Sequence, residues 1–403
     1  MPDRTEASMT TGVRRVAMVA SAMALGAVVI AGQVASRSAG PAGAKAAVYV
    51  PSRGSWDTRK PADVGMDEGL LNQAIEYAKS RDSNWGKTDY MADQVKTFGR
   101  PLGPVPSSHG RTNGIVLRHG YIVAEFGDTN VVEPTYSVAK SYLSTVAGLA
   151  VDRGMIKSVT DPVRTYIRDG GYDSPHNAAI TWDDHLRQAS EWEGTMFGKV
   201  STFIGHEEFG DGEMKPREIH QPGAYYEYND VRVNRLSLSL LRLWKRPLGD
   251  VLKTEIMDPI GASNTWKWIG YDNADVEIDG KTMKSVPGGT RWGGGIWMSS
   301  RDHARFGLLM SRMGTWNGRQ LVSEAWIRQA TARGGPENSN DYGYLWWLNT
   351  KGGTKSVPTT SFSAQGNGSN TIFIDPDDDL VIVWRWHAGG DFYARVVASI
   401  KGS

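Results

Sequence analysis

A serine and a lysine three positions apart, Ser137 and Lys140, are the residues whose types and spacing best suit chemistry. They stand in the stretch EPTYSVAKSYLSTVAGLAVDRG. Because residues three apart on a helix share a face, the lysine amine can reach the serine hydroxyl. A free lysine has a pKa of about 10.4 and is a poor base at neutral pH, but burial and nearby cations lower that pKa. The pair therefore predicts a nucleophilic serine with an amine as its base.

A single Ser-x-x-Lys match also occurs by chance in a chain of 403 residues, so its surroundings decide. Apolar residues follow at helical spacing, and Gly154 is placed to end the helix. The apolar positions are Val138, Tyr142, Leu143, Val146, Leu149 and Ala150. This pattern predicts a buried central helix. At its first turn, Ser137 would hold its own backbone N–H where it can bind a developing oxyanion.

Further segments follow the serine in a fixed order. They are ITWDDHLRQASEWEG, QPGAYYEYNDVRVNRLSLSLL, RWGGGIWMSSRDHARFGLL and FSAQGNGSNTIFIDP, which with the Ser-x-x-Lys stretch cover most of the chain from about Lys60 onward. In order and spacing the chain resembles the serine β-lactamase and penicillin-binding-protein family, which carries the Ser-x-x-Lys signature. It is similar in particular to class C β-lactamases, related esterases and, more loosely, 6-aminohexanoate-dimer hydrolases.

The resemblance implies an α/β (α+β) fold and an acyl-enzyme mechanism on an amide or an ester. It gives Ser137 the role of nucleophile and makes Lys140 and Tyr228 the groups that move its proton. It also makes the backbone N–H groups of Ser137 and Asn367 the oxyanion donors. Tyr228 follows Tyr225 and Tyr226, so without the resemblance a packed aromatic would be the simpler interpretation.

The chain departs from the family pattern at two places. Asp230 stands where relatives have the asparagine of Tyr-x-Asn, and a carboxylate there would favour the ammonium form of Lys140 and leave more of the proton transfer to Tyr228. The alternative is that Asp230 points away or binds the cationic end of a substrate. Residues 364–366, Ala-Gln-Gly, stand where relatives have Lys-Thr-Gly or His-x-Gly, so the usual cation is missing.

Substrate contacts are expected from four positions near these segments. Gly366 would let the backbone approach the substrate closely, and Trp292, beside a glycine-rich loop, would line an apolar pocket. The other two positions are Asp230 and Gln365. We expect a small-molecule, short peptide, oligoamide or ester substrate, no metal and no cofactor.

The elements that must position these residues are read from periodicity. Helical spacing predicts a helix in KPADVGMDEGLLNQAIEYAKS, and GIVLRHGYIVAEFGD predicts a β-hairpin of residues 115–117 and 121–126 with Gly120 in its turn. Ser299 or Ser300 can cap a further helix, and residues 371–374 and 380–386 read as late strands. Strands at both ends predict one antiparallel sheet flanked by helices, with a mainly helical insertion at about 155–284.

Composition excludes several classes of function. Hydrophobic residues make up 40% and charged residues 22%, as in ordinary globular proteins. The net charge of +1 offers no electrostatic footprint for nucleic acid and no strong attraction to a membrane surface. The chain has no cysteine, so it has no disulfide framework.

Residues 1–46 predict an export signal with a short tail, and residues 47–403 the hydrolase domain. Arg14 and Arg15 precede an apolar run at 16–32, and small residues follow it. The alternative is an uncleaved membrane anchor, but the run is slightly short for a span and rich in alanine. We therefore expect a periplasmic or extracellular protein, with membrane contact only if the segment is retained.

Other candidate residues have simpler structural interpretations. Asp183, Asp184 and His185 predict a helix cap with surface charge rather than a metal site. Residues 375–379, DPDDD, lack the ligand pattern of a calcium loop and predict a turn. His387, alone after an apolar strand, predicts a structural histidine. The stretch KGGTKS at 351–356 has the wrong residue order for Lys-Thr-Gly and predicts a loop.

Two classes of function remain open from the sequence. The first class is an enzyme, which could be an esterase, an amidase of the nylon-oligomer type, a D-amino-acid peptidase or a β-lactamase. Outside enzymes, the chain would be an inactive module of the same fold that binds cell-wall peptide or a partner protein, its activity lost with the changes at Asp230 and Ala364. The presence together of Ser137, Lys140 and Tyr228 favours an enzyme.

Overall fold

The computed structural model describes residues 48–83, 100–106, 108–202, 217–288 and 293–401. The export signal predicted at 1–46 lies outside these residues. The α-helices of the described part are α1 Glu68–Ser80, α2 Ala139–Asp152, α3 Trp182–Leu186, α4 Asp230–Trp244, α5 Leu248–Leu252, α6 Ser300–Ser311, α7 Glu324–Ala330 and α8 Phe392–Val397. None of these described helices combines the length and apolar character needed to cross a bilayer.

The strands of the described part are short outside one main sheet. They are β1 Asn113–Arg118, β2 Tyr121–Phe126, β3 Glu133–Pro134, β4 Thr195–Met196, β5 Lys199–Val200, β6 Lys267–Ile269, β7 Asp275–Ile278, β8 Lys281–Lys284, β9 Gly295–Met298, β10 Thr315–Trp316, β11 Arg319–Gln320, β12 Trp347–Leu348, β13 Phe362–Gly366, β14 Asn370–Asp375 and β15 Leu380–Arg385. Single 3₁₀ turns include Tyr136–Val138 and Asn367–Ser369.

The main sheet has the order β12-β13-β14-β15-β1-β2, and all its pairings are antiparallel. It therefore combines the early hairpin with the late strands, which confirms the predicted fold class. The hairpin turns at His119 and Gly120, whose φ angles are 53° and 84°. Two left-handed residues are what a tight hairpin turn requires, so the glycine is used as the sequence predicted.

Both faces of the central strands are covered. On β1, Ile115 and Leu117 belong to the large core that contains α2 and α6, whereas Val116 packs with the buried residues of α1 and α8. This alternation follows from the two-residue period of a strand. Helix α1 forms as its spacing predicts and buries Leu71, Ala74, Ile75 and Ala78, but Leu70 is 44% exposed.

Helix α2 is the centre of the large core. Its residues from Ala139 to Ala150 are all buried, polar ones included. Gly148 lies directly against the indole of Trp326, since an added Cβ would sit 2.4 Å from that ring. The helix ends at Asp152, and Gly154 follows with a φ of 67°. The predicted buried central helix is confirmed.

The insertion at 155–284 is less helical than predicted. Helix α4 dominates it, but β4 to β8 also lie there. The hairpin of β7 and β8 turns at Asp279 and Gly280, with φ angles of 50° and 74°. Asp-Gly is a strong hairpin signal, and the residues of β7 before it, DVEI, alternate between polar and apolar, so the sequence carried a signal that the sequence analysis missed.

The structural interpretations of the acidic cap and of the two histidines, His185 and His387, have different outcomes. Asp184 accepts the backbone N–H of Thr181 at 2.8 Å, which completes the predicted cap of α3. His185 is not a surface charge: it is 2% exposed, its ring contacts the hydroxyl of Tyr172 at 2.8 Å, and burial lowers its pKa to about 3. His387 is structural, because its ring stacks on Trp384 with centroids 3.4 Å apart.

Residues 375–379 form the predicted turn between β14 and β15, where Asp375 accepts the backbone N–H of Asp377 at 3.2 Å. Residues 351–356 lie in the loop between β12 and β13, as predicted. Ser299 caps α6 by accepting the backbone N–H of Asp302 at 3.2 Å. In the part of the chain that the structure describes, no group of three or more His, Cys, Asp or Glu side chains is arranged to hold a metal ion.

Candidate active site

The candidate nucleophile lies in a tight turn between β3 and α2. Ser137 is the middle residue of the 3₁₀ turn Tyr136–Val138, and the backbone N–H of Thr135 donates to the carbonyl of Ile296 in β9 at 2.9 Å. Tyr136 has a φ of 50°, a strained value for a residue that is not glycine. This strained residue lies directly before the serine, and functional sites are a common place for such strain.

Lys140 connects the serine to a carboxylate. Its Nζ donates to Ser137 Oγ at 2.9 Å and to Asp230 Oδ1 at 2.5 Å. The lysine side chain is 1% exposed and the aspartate side chain 12%. The structure therefore places Asp230 toward Lys140, and the possibility that it points away does not hold. A role of Asp230 in binding substrate stays a prediction.

Tyr228 completes the group. Its hydroxyl hydrogen-bonds with both Ser137 and Lys140, and the Lys140 Nζ lies 4.6 Å from the centroid of its ring. The ring stacks on Trp347 of β12 with centroids 5.6 Å apart and packs edge-on against Tyr342. These two aromatics fix the position of the phenol, and the sequence analysis did not single them out.

The protonation of the group follows from burial and charge. Burial by itself lowers the pKa of Lys140, but the negative charge of Asp230, the interaction with Tyr228 and the hydrogen bonds of both together outweigh burial and raise that pKa above its ordinary value. Burial raises the pKa of Tyr228, although the lysine charge opposes it. At neutral pH the resting site therefore holds an ammonium ion beside a neutral phenol and the serine hydroxyl. Burial at α2, which sequence reasoning expected to make the lysine a better base, is offset by its neighbour.

Asp230 is positioned by the start of α4. It is the first residue of the helix, and the side chain of the preceding Asn229 accepts the backbone N–H of Arg232 as the helix cap. The backbone N–H of Asn229 in turn donates to Gln188 Oε1 at 2.8 Å. Tyr228, Asn229 and Asp230 are thus held from the helix side and from the segment after α3.

A buried network of ion pairs fixes the segment of residues 217–227, which leads to Tyr228. Glu191 is fully buried and accepts two N–H groups of Arg217 at 2.5 and 2.7 Å and one of Arg232 at 2.5 Å. Glu227 accepts from both arginines, at 2.6 and 2.8 Å. A charge buried in this way is stable only when it is paired, so the network ties residues 217–227 to α4. The sequence analysis quoted the segment with Glu191 but assigned it no role.

The end of β13 comes directly against the nucleophile turn. A Cβ on Gly366 would lie 2.3 Å from the carbonyl oxygen of Thr135 and 3.0 Å from the backbone nitrogen of Ser137, so only glycine permits this approach. Asn367, the expected second oxyanion donor, is the next residue. Gln365 is exposed and donates to Ser363 Oγ at 2.8 Å. The structure thus places the 364–366 segment beside the serine, as the resemblance implies.

Two further positions named in the sequence analysis, Ala364 and Trp292, have different outcomes. Ala364, where relatives carry a cation, is fully buried within β13 and pairs with Ile372 of β14. Trp292 lies outside the residues that the structure describes, so its place in an apolar pocket stays a prediction.

Replacing Gly366 by alanine should reduce activity. The new methyl group would collide with backbone atoms, so β13 must move away from the Ser137 turn, and a displacement of about 1 Å at a catalytic site can cost roughly a hundredfold in rate. We expect at least a tenfold loss in kcat for a p-nitrophenyl ester. Gly353→Ala is the matched control, because nothing lies within 4 Å of its added Cβ. Equal activity of the two variants would show that the close approach does not matter.

Comparison of the sequence with known proteins identifies the family of the chain. The family model for beta-lactamase matches residues 115–395, more than half of the chain, and the chain therefore belongs to the beta-lactamase family. The resemblance that the motifs indicate is confirmed. An uncharacterized protein of Alkalihalophilus pseudofirmus is 26% identical over 274 residues, which cover 63% of this chain and 73% of that protein.

Solved structures share the fold. A putative 6-aminohexanoate-dimer hydrolase from Bacillus anthracis superposes with a TM-score of 0.50 at 18% identity, covering 72% of this chain and 77% of its own. EstCE1, described as a hydrolase with promiscuous acyltransferase activity, has a TM-score of 0.55 at 11% identity and covers 83% and 99%. At these identities the likeness establishes the fold alone.

Proposed function

We propose that this protein is a serine hydrolase that cleaves an amide or ester bond through an acyl-enzyme on Ser137. The observation that carries the proposal is the 2.9 Å contact between Lys140 Nζ and Ser137 Oγ, with the Tyr228 hydroxyl in contact with both. A nucleophile, a base and a second proton carrier within hydrogen-bond reach are the signature of nucleophilic catalysis. Membership of the beta-lactamase family supports the same reaction class.

The proposed reaction begins when Lys140 has lost a proton. Ser137 Oγ then attacks the substrate carbonyl carbon while its proton passes to Lys140, directly or through Tyr228. The N–H groups of Ser137 and Asn367 take the developing oxyanion. Tyr228 delivers the proton to the leaving amine or alkoxide, the carbonyl re-forms, and the acyl-enzyme remains.

Water completes the cycle. It attacks the acyl carbon while the same two groups, Lys140 and Tyr228, accept its proton, and the acid leaves as Ser137 recovers its own proton. Because Asp230 raises the pKa of Lys140, the neutral lysine is scarce at low pH. The reaction should therefore become faster as the pH rises toward that pKa.

The substrate class that we propose is a neutral amide or ester. Ala364 in place of the usual cation removes the partner that relatives offer at this position. The solved structures of similar fold include one described as a putative 6-aminohexanoate-dimer hydrolase and one described as a hydrolase with promiscuous acyltransferase activity. Export through residues 1–46 belongs to the same proposal, since that segment has the pattern of a signal peptide.

Covalent labelling tests the proposal. Incubation with a fluorophosphonate should add one label to the intact mass, and peptide mapping should place it on Ser137. Parallel incubations with p-nitrophenyl butyrate and a penicillin separate the candidates: an esterase turns over the ester, a β-lactamase turns over the penicillin, and a D-amino-acid peptidase of the penicillin-binding kind keeps the penicillin as a lasting adduct. A folded protein that neither labels nor turns over any of these compounds would favour the binding module instead.

Asp230→Asn should move the acidic limb of the pH–rate profile to lower pH. The neutral amide removes the charge that holds the Lys140 proton, and the remaining burial lowers the pKa of the amine. The measurement is kcat/KM against pH with a neutral p-nitrophenyl ester. If Asp230 instead binds the cationic end of a substrate, the limb will stay in place and KM will rise only for an amine-bearing amide.

A further inference from the structure

A buried arginine outside the reacting group holds the chain just before the nucleophile. Arg385, the last residue of β15, is 1% exposed. Its guanidinium donates to the carbonyl of Pro134 at 3.0 Å and to that of Met298 in β9 at 2.8 Å. Pro134 lies three residues before Ser137, so the arginine fixes the base of the turn that carries the serine. Burial lowers the pKa of Arg385 to about 10, which leaves it charged at neutral pH.

The same arginine reaches the other side of the site through one asparagine. Its Nε donates to Oδ1 of Asn370 at 2.6 Å, and Nδ2 of Asn370 donates to the carbonyl of Asn367 at 2.5 Å. The orientation of the amide follows from the chemistry, because an arginine N–H only donates and a carbonyl only accepts. Asn370 is 1% exposed and its contact with Arg385 is buried, whereas its contact with the carbonyl of Asn367 is partly buried.

These contacts form one continuous path between the two expected oxyanion donors. It runs from the carbonyl of Pro134 through Arg385 and Asn370 to Asn367. On the opposite side the backbone of Gly366 touches the turn of Ser137 directly. The turn of Ser137 and the segment of Gly366 and Asn367 are thus in direct contact at the glycine. Arg385 and Asn370 fix the position of one segment relative to the other.

We propose that Arg385 and Asn370 are positioning residues that set the separation between the backbone N–H groups of Ser137 and Asn367. The inference rests on the proposed function, because only an acyl-transfer site needs these two donors at one oxyanion. An oxyanion hole works when both donors lie about 2.7–3.1 Å from the charged oxygen, so a small displacement is costly in the transition state. The ground-state substrate depends on that spacing much less, so kcat should suffer more than KM.

Asn370→Asp separates positioning from simple packing. The carboxylate keeps the size of the side chain and still accepts from Arg385, but it cannot donate to Asn367 and repels that carbonyl. We expect kcat for p-nitrophenyl butyrate to fall by about 10- to 100-fold, at or below the loss seen when an oxyanion donor is removed outright. KM should stay within about threefold, and Ki for propylboronic acid, which forms a tetrahedral adduct on the serine, should rise with the loss in kcat.

Asn349→Asp is the matched control. Asn349 is also a buried asparagine whose Nδ2 donates to backbone carbonyls, at 3.2 Å for Thr354 and 3.1 Å for Pro358, but it lies at the far end of β13 from Gly366. Its variant should lose thermal stability while kcat and the boronate Ki stay within about twofold, since additivity holds between distant sites. The comparison isolates what the Asn370 donor does for catalysis.

The outcomes of these experiments distinguish a failure of the positioning role from a failure of the proposed hydrolase function. An active wild type with a folded Asn370→Asp of unchanged kcat and boronate Ki would overturn the positioning role and leave the hydrolase standing. If that variant does not fold, Asn370→Ser removes the bridge without adding charge, and failure of both to fold would assign Asn370 to stability alone. A wild type that is neither labelled nor active would refute the proposed function, and the positioning role would fall with it.

Discussion

Ser137→Ala should abolish both ester turnover and labelling by a fluorophosphonate while the protein remains folded. The variant removes the serine hydroxyl that both Lys140 and Tyr228 contact, and with it the proposed nucleophile. Removal of a catalytic serine in a comparable unit costs about 10⁶-fold in kcat, and we expect a loss of that order. The measurements are p-nitrophenyl butyrate kinetics and intact mass after labelling.

Ser144→Ala is the control for that variant. Ser144 is a fully buried serine in α2, the helix that follows the turn of Ser137. Its replacement tests the effect of removing a buried hydroxyl from this helix, and turnover should survive. Labelling that persists in Ser137→Ala and maps to another serine would contradict the mechanism.

Lys140→Ala should lose nearly as much activity as Ser137→Ala, and the double variant little more. Nucleophile and base act as a unit, so the effects of their removal are not additive. The variant also leaves Asp230 as an unpaired, mostly buried carboxylate, and breaking a buried pair can cost about 3–5 kcal/mol of stability. Thermal unfolding should therefore show a lower Tm that Asp230→Asn partly restores in the same chain.

Two further variants separate the effect of Lys140→Ala on stability from its effect on catalysis. Lys199→Ala removes another buried lysine, whose Nζ lies over the ring of Tyr271, and provides the control for loss of a buried amine. The Lys140→Ala/Asp230→Asn variant should recover stability without recovering turnover. Recovery of both would mean that the lysine only holds the fold together, and losses of Ser137→Ala and Lys140→Ala that multiply would contradict their pairing.

Local patterns were sufficient to predict the sheet and the elements that carry the serine. The hairpin of β1 and β2, the late strands and the burial of α2 all follow from periodicity and from turn residues such as Gly120. These features depend on neighbours in sequence, which a single chain displays directly. The expected pairing of Ser137 with Lys140 came from their spacing, the expected role of Tyr228 came from motif resemblance, and the structure brings the three side chains together.

What the sequence did not reveal depends on contacts between distant segments. Glu191 reads as one acidic residue in a loop, and its pairing with two arginines appears only when that loop packs on α4. Arg385 reads as a charge interrupting an apolar strand, and nothing nearby in sequence indicates that one of its acceptors is the backbone carbonyl of Pro134, 251 residues away. His185 was misassigned for the same reason, because its burial comes from the packing of Tyr172.

The pairing of β1 with β15 has a consequence for how the chain acquires its shape. Asn113 lies opposite Arg385, so the middle of the main sheet joins segments from opposite ends of the domain. Closing so long a loop is entropically expensive, and proteins dominated by such distant contacts fold slowly. A nascent chain that has emerged only as far as α6 holds Ser137 and Lys140 but lacks β13 to β15. Folding of the main sheet, and with it assembly of the site, must therefore wait until β15 has been synthesised.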